Sequence, residues 1–425
     1  MGTMMVMMGL LLIIVSLCSA LLRWNQMRYT KNGLPPGTMG WPIFGETTEY
    51  GSFFKSHLLG CPTLISMDSE VNRYILKNES KGLVPGYPQS MLDILGTCNM
   101  AAVHGSSHRL MRGSLLSLIS STMMRDHILP KVDHFMRSYL DQWNELEVID
   151  IQDKTKHMAF LSSLTQIAGN LRKPFVEEFK TAFFKLVVGT LSVPIDLPGT
   201  NYRCGIQARK NIDRLLRELM QERRDSGETF TDMLGYLMKK EGNRYPLTDE
   251  EIRDQVVTIL YSGYETVSTT SMMALKYLHD HPKALQELRA EHLAFRERKR
   301  QDEPLGLEDV KSMKFTRAVI YETSRLATIV NGVLRKTTRD LEINGYLIPK
   351  GWRIYKKSLE SQNSCFVFGG GTRLCPGKEL GIVEISSFLH YFVTRYRWEE
   401  IGGDELMVFP RVFAPKGFHL RISPY

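Results

Sequence analysis

Cysteine is scarce and scattered in this chain. The 425 residues include six cysteines, which are Cys18, Cys61, Cys98, Cys204, Cys365 and Cys375. No two of them form a C-x-x-C pair, which argues against a structural zinc site. Their low density also argues against the disulfide framework of a small secreted domain and favours a reducing compartment. A cysteine that does chemistry here is therefore expected to act singly.

Several other sequence features are missing as well. No run of Lys and Arg interleaved with aromatic residues indicates a nucleic-acid surface, so we predict no nucleic-acid partner. The pair His104 and His108 in "HGSSH" lacks the glutamate of a zincin motif. With 43% hydrophobic and 10% aromatic residues, the chain can build a sizeable core. Its net charge of +8 favours an acidic partner or an anionic membrane surface.

The N-terminal stretch is apolar and has no basic residue before it. Met4 to Leu22 carries no charge and is long enough to cross a bilayer as a helix. Arg23, Arg28 and Lys31 follow it. By the positive-inside rule we predict a single-pass anchor with the rest of the chain in the cytosol.

A cleaved signal peptide is the alternative, with Cys18 to Ala20 as its cleavage site. The length of the apolar run and the basic residues after it favour a retained anchor. We therefore predict a membrane anchor over residues 1–22 and a basic, Pro/Gly-rich hinge over residues 23–49. Residues 50–425 are predicted to form the globular domain.

Helical patterns dominate the globular part, and β-type patterns are few. "SFFKSHLLGCPTLISM" predicts a hairpin broken at Gly60 and Pro62, and "LEINGYLIPKGWRIY" predicts two strands joined by a turn at Asn344-Gly345. The predicted fold class is predominantly α with a small β-sheet.

One long helix is predicted from Thr248 to His281. Thr248 and Glu251 have the spacing of a capping box, and Pro282 stops the helix. Because Glu265 is the one charged residue between Val256 and Leu275, the helix is expected to run through a core.

The stretch "SGYETV" is unusual in such a helix because it combines Gly263, Glu265 and Thr266. A buried carboxylate without a partner would cost several kcal/mol. The residues alone leave two interpretations equally open. One is a functional site, and the other is a polar patch that water or a neighbouring arginine satisfies.

The loop "FVFGGGTRLCPG", from Phe366 to Gly377, combines four glycines with one cysteine. Cys375 could be a small buried hydrophobe, a nucleophile or a metal ligand. The loop contains no histidine that would act as a base. Glycines would leave room for a bulky group, and backbone N–H groups would stabilise a thiolate.

Five positions of this loop resemble a known motif. Phe368, Gly371, Arg373, Cys375 and Gly377 fit F-x-x-G-x-R-x-C-x-G, the haem-binding loop of the cytochrome P450 superfamily of haem-thiolate monooxygenases. The resemblance implies a cytochrome P450-like fold and haem b as the cofactor, with Cys375 as the axial thiolate on the iron. It also implies that Phe368 packs under the sulfur and that Arg373 pairs with a haem propionate.

The long helix resembles the oxygen-activation helix of the same superfamily. In "SGYETV", the resemblance implies that Glu265 and Thr266 are an acid–alcohol pair that relays protons, and that Gly263 opens space beside them. Ser262 and Val267 depart mildly from the family pattern.

Four further charged residues match family positions. Glu322 and Arg325 in "YETSR" match the buried E-x-x-R ion pair. Arg112 in "HRLMR" and Arg335 in "GVLRKTTRD" are implied to bind haem propionates, with His108 in place of the usual tryptophan.

Nearly the whole chain resembles the plant brassinosteroid-6-oxidase branch of the superfamily, for example in "PKGFHLRISPY". That resemblance implies a brassinosteroid precursor as substrate, oxidised at C-6 from a 6-deoxo to a 6-oxo steroid. It implies electrons from NADPH through a separate flavin reductase. It also implies anchoring in the lipid of the endoplasmic reticulum membrane.

Two family segments have no counterpart in this chain, one near residues 50/51 and one near residues 355/356. The second would contain the arginine that joins Glu322 and Arg325 in a buried cluster. Removing one partner of such a cluster costs about 3–5 kcal/mol. The alternative prediction is therefore a shortened, catalytically inactive isoform that keeps its membrane and reductase surfaces. A third possibility, a cysteine-nucleophile enzyme, has no convincing base near Cys375.

Overall fold

The computed structural model describes most of the chain. It covers residues 2–30, 33–40, 50–58, 60–79, 81–239, 246–300, 303–357, 366–402, 405–408 and 411–425, with side chains from residue 13 onward. The α-helices are α1 (Gly2–Arg28), α2 (Ser69–Lys77), α3 (Gln89–Leu95), α4 (Gly105–Leu118), α5 (Ser121–Met123), α6 (Leu129–Asp141), α7 (Ile151–Ala168), α8 (Lys173–Thr190), α9 (Asn201–Ser226), α10 (Met233–Met238), α11 (Asp249–Asp280), α12 (Pro282–Arg298), α13 (Leu307–Ser312), α14 (Lys314–Leu326) and α15 (Lys378–Arg395). The strands are β1 (Phe53–Leu58), β2 (Cys61–Ser66), β3 (Leu83–Pro85), β4 (Val148–Asp150), β5 (Gly332–Thr337), β6 (Leu341–Ile343), β7 (Tyr346–Ile348), β8 (Arg353–Lys357), β9 (Tyr396–Glu400) and β10 (His419–Pro424). This composition confirms a predominantly α protein with small sheets.

The chain divides into two compact units. The first unit comprises Met1–Pro88, Gly332–Leu359 and Gly370–Arg373, and the second comprises Gln89–Asn331, Glu360–Gly369 and Leu374–Tyr425. The short segment at Gly370–Arg373 lies inside the loop from Phe366 to Gly377, which we call the cysteine loop. Residues of that loop therefore belong to both units.

The first unit is built on a five-stranded sheet with the order β1-β2-β8-β5-β3. Strands β2 and β8 are parallel, and the other neighbours are antiparallel. Both predicted hairpins are present. The β1–β2 pair closes at Leu58 and Cys61, and the β6–β7 pair turns at Asn344 (φ 53°) and Gly345 (φ 76°). Positive φ at both turn positions is what a type I′ hairpin requires, and Asn-Gly adopts it readily.

Helix α1 belongs to the first unit and is tied to it near its C-terminal end. Asn25 is 1% exposed and donates to the carbonyl oxygen of Gly40 at 2.8 Å. The ring of Tyr29 lies edge-on to His57 and Trp352. Among the residues whose side chains are described, no helix is both long enough and apolar enough to cross a membrane. Of the predicted hinge, residues 31–32 and 41–49 lie outside the described residues.

The second unit holds the larger core, and α11 runs through it. The helix has 32 residues, about 48 Å at 1.5 Å per residue. The predicted capping box is present, because Thr248 Oγ1 accepts from the N–H of Glu251 and the Glu251 carboxylate accepts from the N–H of Thr248. Helix α12 begins at Pro282, as the sequence predicted for the end of α11. A three-stranded sheet with the order β4-β10-β9 completes this unit.

Candidate functional site

The cysteine loop has the backbone geometry of a tight turn. The N–H of Cys375 donates to the carbonyl oxygen of Phe368 at 2.9 Å. Between them, Gly369 and Gly371 adopt positive φ angles of 72° and 65°. A Cβ at Gly371 would lie 2.3 Å from the carbonyl oxygen of Leu76, so this position requires glycine.

The Cys375 sulfur lies in a mixed electrostatic environment. Burial raises the pKa of the Cys375 thiol, which opposes formation of a thiolate. The backbone N–H of Gly377 and the charges of Arg112 and Lys378 lower it. These three groups are the kind that stabilise a sulfur anion. The structure thus brings Arg112, from α4, within electrostatic range of Cys375.

The space and donors around the cysteine suit a metal ligand. Apart from its neighbours in the chain, no described atom lies within 4 Å of a Cβ built at Gly377, which begins the turn into α15. A single sulfur with an N–H donor and nearby cations suits a metal ligand, whereas a nucleophile would also need a base. The ring of Phe368 lies edge-on to Tyr321 of α14, with centroids 5.3 Å apart. Its predicted packing under the sulfur stays a prediction.

The first unit contains the two other arginines expected to bind propionates. Arg335 of β5 is 1% exposed, its Nη1 donates to the carbonyl oxygen of Leu334, and burial lowers its pKa. Among the described residues its Nε has no hydrogen-bond partner. A buried guanidinium nitrogen without a partner is costly, and an anionic group such as a haem propionate would satisfy it. The residues present therefore fit the implied cofactor at Arg335.

Unlike the Nε of Arg335, the Nε of Arg373 has a carboxylate partner. Its Nε lies 2.6 Å from Oε1 and 2.5 Å from Oε2 of Glu79, and the Glu79 side chain is 5% exposed. The charge of Glu79 also acts on Arg335. Sequence reasoning missed Glu79, because nothing local marks a carboxylate 294 positions away as the partner of Arg373.

The polar patch of α11 has an arginine partner. Arg411 Nη1 lies 2.7 Å from Oε1 of Glu265, and Thr266 Oγ1 donates to the carbonyl oxygen of Ser262 at 2.7 Å. Thr266 is exposed although it lies in the middle of a core helix. A Cβ at Gly263 would lie 2.9 Å from Ser163 Oγ, so this glycine permits close packing on α7. The sequence left open whether an arginine would satisfy Glu265, and the structure shows that Arg411 does.

The predicted Glu322–Arg325 ion pair is present on α14. Arg325 Nη2 and Nε lie 2.6 Å and 2.8 Å from the two carboxylate oxygens of Glu322, and this lowers the Glu322 pKa. The expectation that the pair is buried is wrong, because the Glu322 side chain is 55% exposed. The i, i+3 spacing fixes the contact, whereas burial requires a covering segment.

Comparison with known proteins gives the family. The cytochrome P450 family profile matches residues 46–359, which end before the cysteine loop. Cytochrome P450 85A1 and cytochrome P450 85A2, both of Arabidopsis thaliana, are 91% and 75% identical to this chain, with full coverage of both chains. The 3beta,22alpha-dihydroxysteroid 3-dehydrogenase of Arabidopsis thaliana is 33% identical over 95% of each chain.

A solved structure supports the fold. A retinoic-acid-bound cyanobacterial CYP120A1 superposes with a TM-score of 0.81 at 24% identity, covering 92% of this chain and 99% of the other. The relatives confirm the resemblance to the plant brassinosteroid-6-oxidase branch. They also confirm haem b and reductase-delivered electrons as the requirements of the enzyme. The profile match and the identity to the two Arabidopsis proteins show that this chain belongs to the cytochrome P450 family of haem-thiolate monooxygenases.

Proposed function

We propose that this chain oxidises a brassinosteroid precursor at C-6, converting a 6-deoxo steroid into a castasterone-type 6-oxo steroid. The observation that carries the proposal is 91% identity to cytochrome P450 85A1 over the full chain. The steroid named in the more distant dehydrogenase relative supports the substrate class.

Cys375, Arg112 and Arg335 are the residues that would hold the haem. Cys375 would ligate the iron as a thiolate, with Gly377, Arg112 and Lys378 stabilising its charge. Arg335 would offer to a propionate the Nε that has no partner among the described residues. Arg373 would pair with the other propionate while Glu79 holds its Nε. When bound, the haem supplies the oxidising chemistry that no side chain can provide.

Thr266 and Glu265 are assigned to proton transfer. The Thr266 hydroxyl uses its own proton on the Ser262 carbonyl, so its lone pairs remain able to accept a hydrogen bond. Arg411 Nη1 donates to Oε1 of Glu265 at 2.7 Å. A relay through Glu265 therefore requires this ion pair to open or to be bridged by water. Thr266→Ala is expected to leave haem bound while reducing equivalents leak to peroxide.

We place the enzyme in the endoplasmic reticulum membrane as a single-pass protein with a cytosolic catalytic domain. Large apolar side chains of α1 are exposed, namely Ile13, Ile14, Val15 and Leu17, each by more than half. Arg23 and Arg28 follow them, as the positive-inside rule expects. The partners of this arrangement are membrane lipid and a flavin reductase that passes on electrons from NADPH.

A second candidate is a shortened, inactive isoform. The alignment with cytochrome P450 85A1 spans 465 positions with full coverage of a 425-residue chain, so about 40 positions have no residue here. The exposed carboxylate of Glu322 is what we expect where a covering segment is missing. Such a chain would keep its surfaces but bind haem poorly.

One experiment separates the two candidates. Microsomes containing this chain and a plant reductase are given NADPH and the 6-deoxo steroid, and the 6-oxo product is measured by mass spectrometry. A carbon monoxide difference spectrum of the same sample reports thiolate-ligated haem. We expect a Soret band at the thiolate position together with 6-oxo product, and neither with Cys375→Ala. A normal band without product would refute C-6 oxidation. No band, when a full-length relative gives one, would establish the inactive isoform.

A further inference from the structure

A buried carboxyl group on α15 has no role in the proposed function. Glu384 is 3% exposed. Its Oε1 accepts hydrogen bonds from Ser162 Oγ at 3.1 Å and from Gln166 Nε2 at 2.5 Å. Gln166 also donates to Ser162 Oγ at 3.1 Å, so three side chains form a closed polar cluster. Because Ser162 and Gln166 lie on α7, the cluster joins α7 to α15.

Among the residues that the structure describes, no cation offsets the charge that Glu384 would carry. Burial raises the pKa of the Glu384 carboxyl to about 7, while its two hydrogen bonds from Gln166 and Ser162 lower it. Across the described part of the chain, no charged side chain contributes to this shift. An ionised carboxylate without a counter-ion is unstable in such a site.

Other titratable groups that α15 meets are engaged elsewhere along the helix. His292 of α12 contacts His390, with the two Nδ1 atoms 3.1 Å apart. Asp133 and Arg137 of α6 bind the hydroxyl of Tyr391. The α7 side chains that contact Glu384 are the neutral Ser162 and Gln166, and Ser163 of α7 packs on Gly263 of α11.

The contact between α7 and α15 that Ser162, Gln166 and Glu384 form, called the joint below, lies close to Cys375 along α15. The helix begins at Lys378, directly after Gly377, whose N–H stabilises the Cys375 thiolate. The N–H of Gly381 donates to the carbonyl oxygen of Gly377 at 2.8 Å, so the first turn fixes that residue. Glu384 follows Lys378 by six residues, about 9 Å along the axis. A shift of α15 at Glu384 would therefore move the N–H donor of the sulfur.

We propose that protonated Glu384 is a positioning residue for Cys375. It holds the first two turns of α15 against α7. Loss of its proton weakens that joint and displaces the Cys375 sulfur from its N–H donor. The inference rests on the role of Cys375 in the proposed function. To that role it adds control of Cys375 thiolate ligation by the protonation of Glu384. At about pH 6 roughly a tenth of the chains carry ionised Glu384, and at about pH 8 roughly nine tenths do.

The variant Glu384→Gln tests the proposal, since its amide oxygen can accept the same two hydrogen bonds and cannot ionise. Glu384→Ala removes the joint, and Ser387→Ala is the matched control, because Ser387 is buried on α15 and bonds to its own helix at Val383. Two readouts are taken from about pH 5 to about pH 8.5. One is the fraction of carbon monoxide complex with its Soret band at the thiolate position. The other, in chain without haem, is the rate of Cys375 alkylation by iodoacetamide, quantified by peptide mass.

The expected result is a wild-type thiolate fraction that falls by roughly half or more between about pH 6 and about pH 8. Glu384→Gln should hold its fraction constant, and Glu384→Ala should be low throughout. Relative to Glu384→Gln, wild-type alkylation should slow about twofold or more over the same range, because the displaced sulfur loses the N–H donor that favours the reactive thiolate. Ser387→Ala should follow wild type.

Parallel pH profiles for wild type and Glu384→Gln in both readouts would overturn the proposal. Equal loss in the Gln and Ala variants would also overturn it, since it would show that the carboxyl serves packing alone. The alkylation readout decides the matter even if the chain binds no haem. The proposed function is tested separately, because C-6 product can be absent while the pH profiles still differ.

Discussion

Two arginine–carboxylate pairs in this molecule have similar geometry and very different surroundings. Arg373 contacts both carboxylate oxygens of Glu79 in the first unit, and the two side chains are 11% and 5% exposed. Arg325 contacts both oxygens of Glu322 in the second unit, where the carboxylate is 55% exposed. The first pair joins residues 294 positions apart, whereas the second joins neighbours on one helical turn.

The difference shows that contact and burial have separate origins. An i, i+3 pair forms wherever a helix forms, but water screens it unless another segment covers it. A pair between distant residues exists because the fold brings them together, and burial then makes each partner depend on the other. The E-x-x-R motif therefore predicts an ion pair and does not by itself predict its contribution to stability.

The largest expected effect is at Glu79. Replacing Glu79 with Ala leaves the Arg373 guanidinium buried without its carboxylate and removes the charge that stabilises Arg335, so unfolding free energy should fall by about 3–5 kcal/mol. Urea unfolding followed by circular dichroism measures it. Glu79→Gln is the matched control and should recover part of the loss. A loss of unfolding free energy below about 1 kcal/mol would show that the Arg373–Glu79 pair contributes no more than a surface ion pair.

An intermediate effect is expected at Arg411. Its pair with Glu265 is partly buried, with side chains 24% and 20% exposed. Arg411→Ala should lower the unfolding free energy by about 1–3 kcal/mol, because Glu265 loses a charged hydrogen bond. Arg411→Lys keeps the charge and should lose less. Unchanged stability in Arg411→Ala would mean that water already satisfies Glu265.

A small effect is expected at Glu322. Glu322→Ala should change the unfolding free energy by about 0–1 kcal/mol, because most of the carboxylate is already in water. Thermal and urea unfolding give the value, with Glu308→Ala, at another exposed helical carboxylate paired at i, i+3 with Lys311, as the control. A loss near that of Glu79→Ala would show that the pair is covered in solution.

The smallest expected effect is that of salt on the unfolding free energy that each ion pair contributes. About 1 M NaCl shortens the screening distance to about 3 Å, so the difference between wild type and Glu322→Ala should vanish. The difference between wild type and Glu79→Ala should persist, since buried pairs are screened much less. Parallel unfolding series at low and high salt measure both. Equal salt sensitivity of the two differences would contradict the contrast in burial.

Local sequence patterns predicted the elements that depend on local physics. The capping box at Thr248 and Glu251, the stop at Pro282 and the turn at Asn344-Gly345 are all where the residues indicated them. Each depends on contacts within a few residues, so chain order suffices. The positive φ angles at Gly369 and Gly371 in the cysteine loop are also local, but the close approach of the Leu76 carbonyl to Gly371 depends on the tertiary structure.

The partners of the site residues were not predictable in the same way. Glu79 and Arg411 carry no motif, and Glu384 is an ordinary helical glutamate in the sequence. Their roles arise from segments that are distant in the chain and are brought together by packing of the core. The exposure of Glu322 likewise depends on which segment covers α14.

The amino-acid sequence by itself determined where helices begin and end, where the chain must turn, and that one cysteine stands in a loop fit for a metal, because these follow from neighbouring residues. The tertiary structure decided which charges are buried and what each one contacts, because desolvation depends on segments that come together only when the chain is folded.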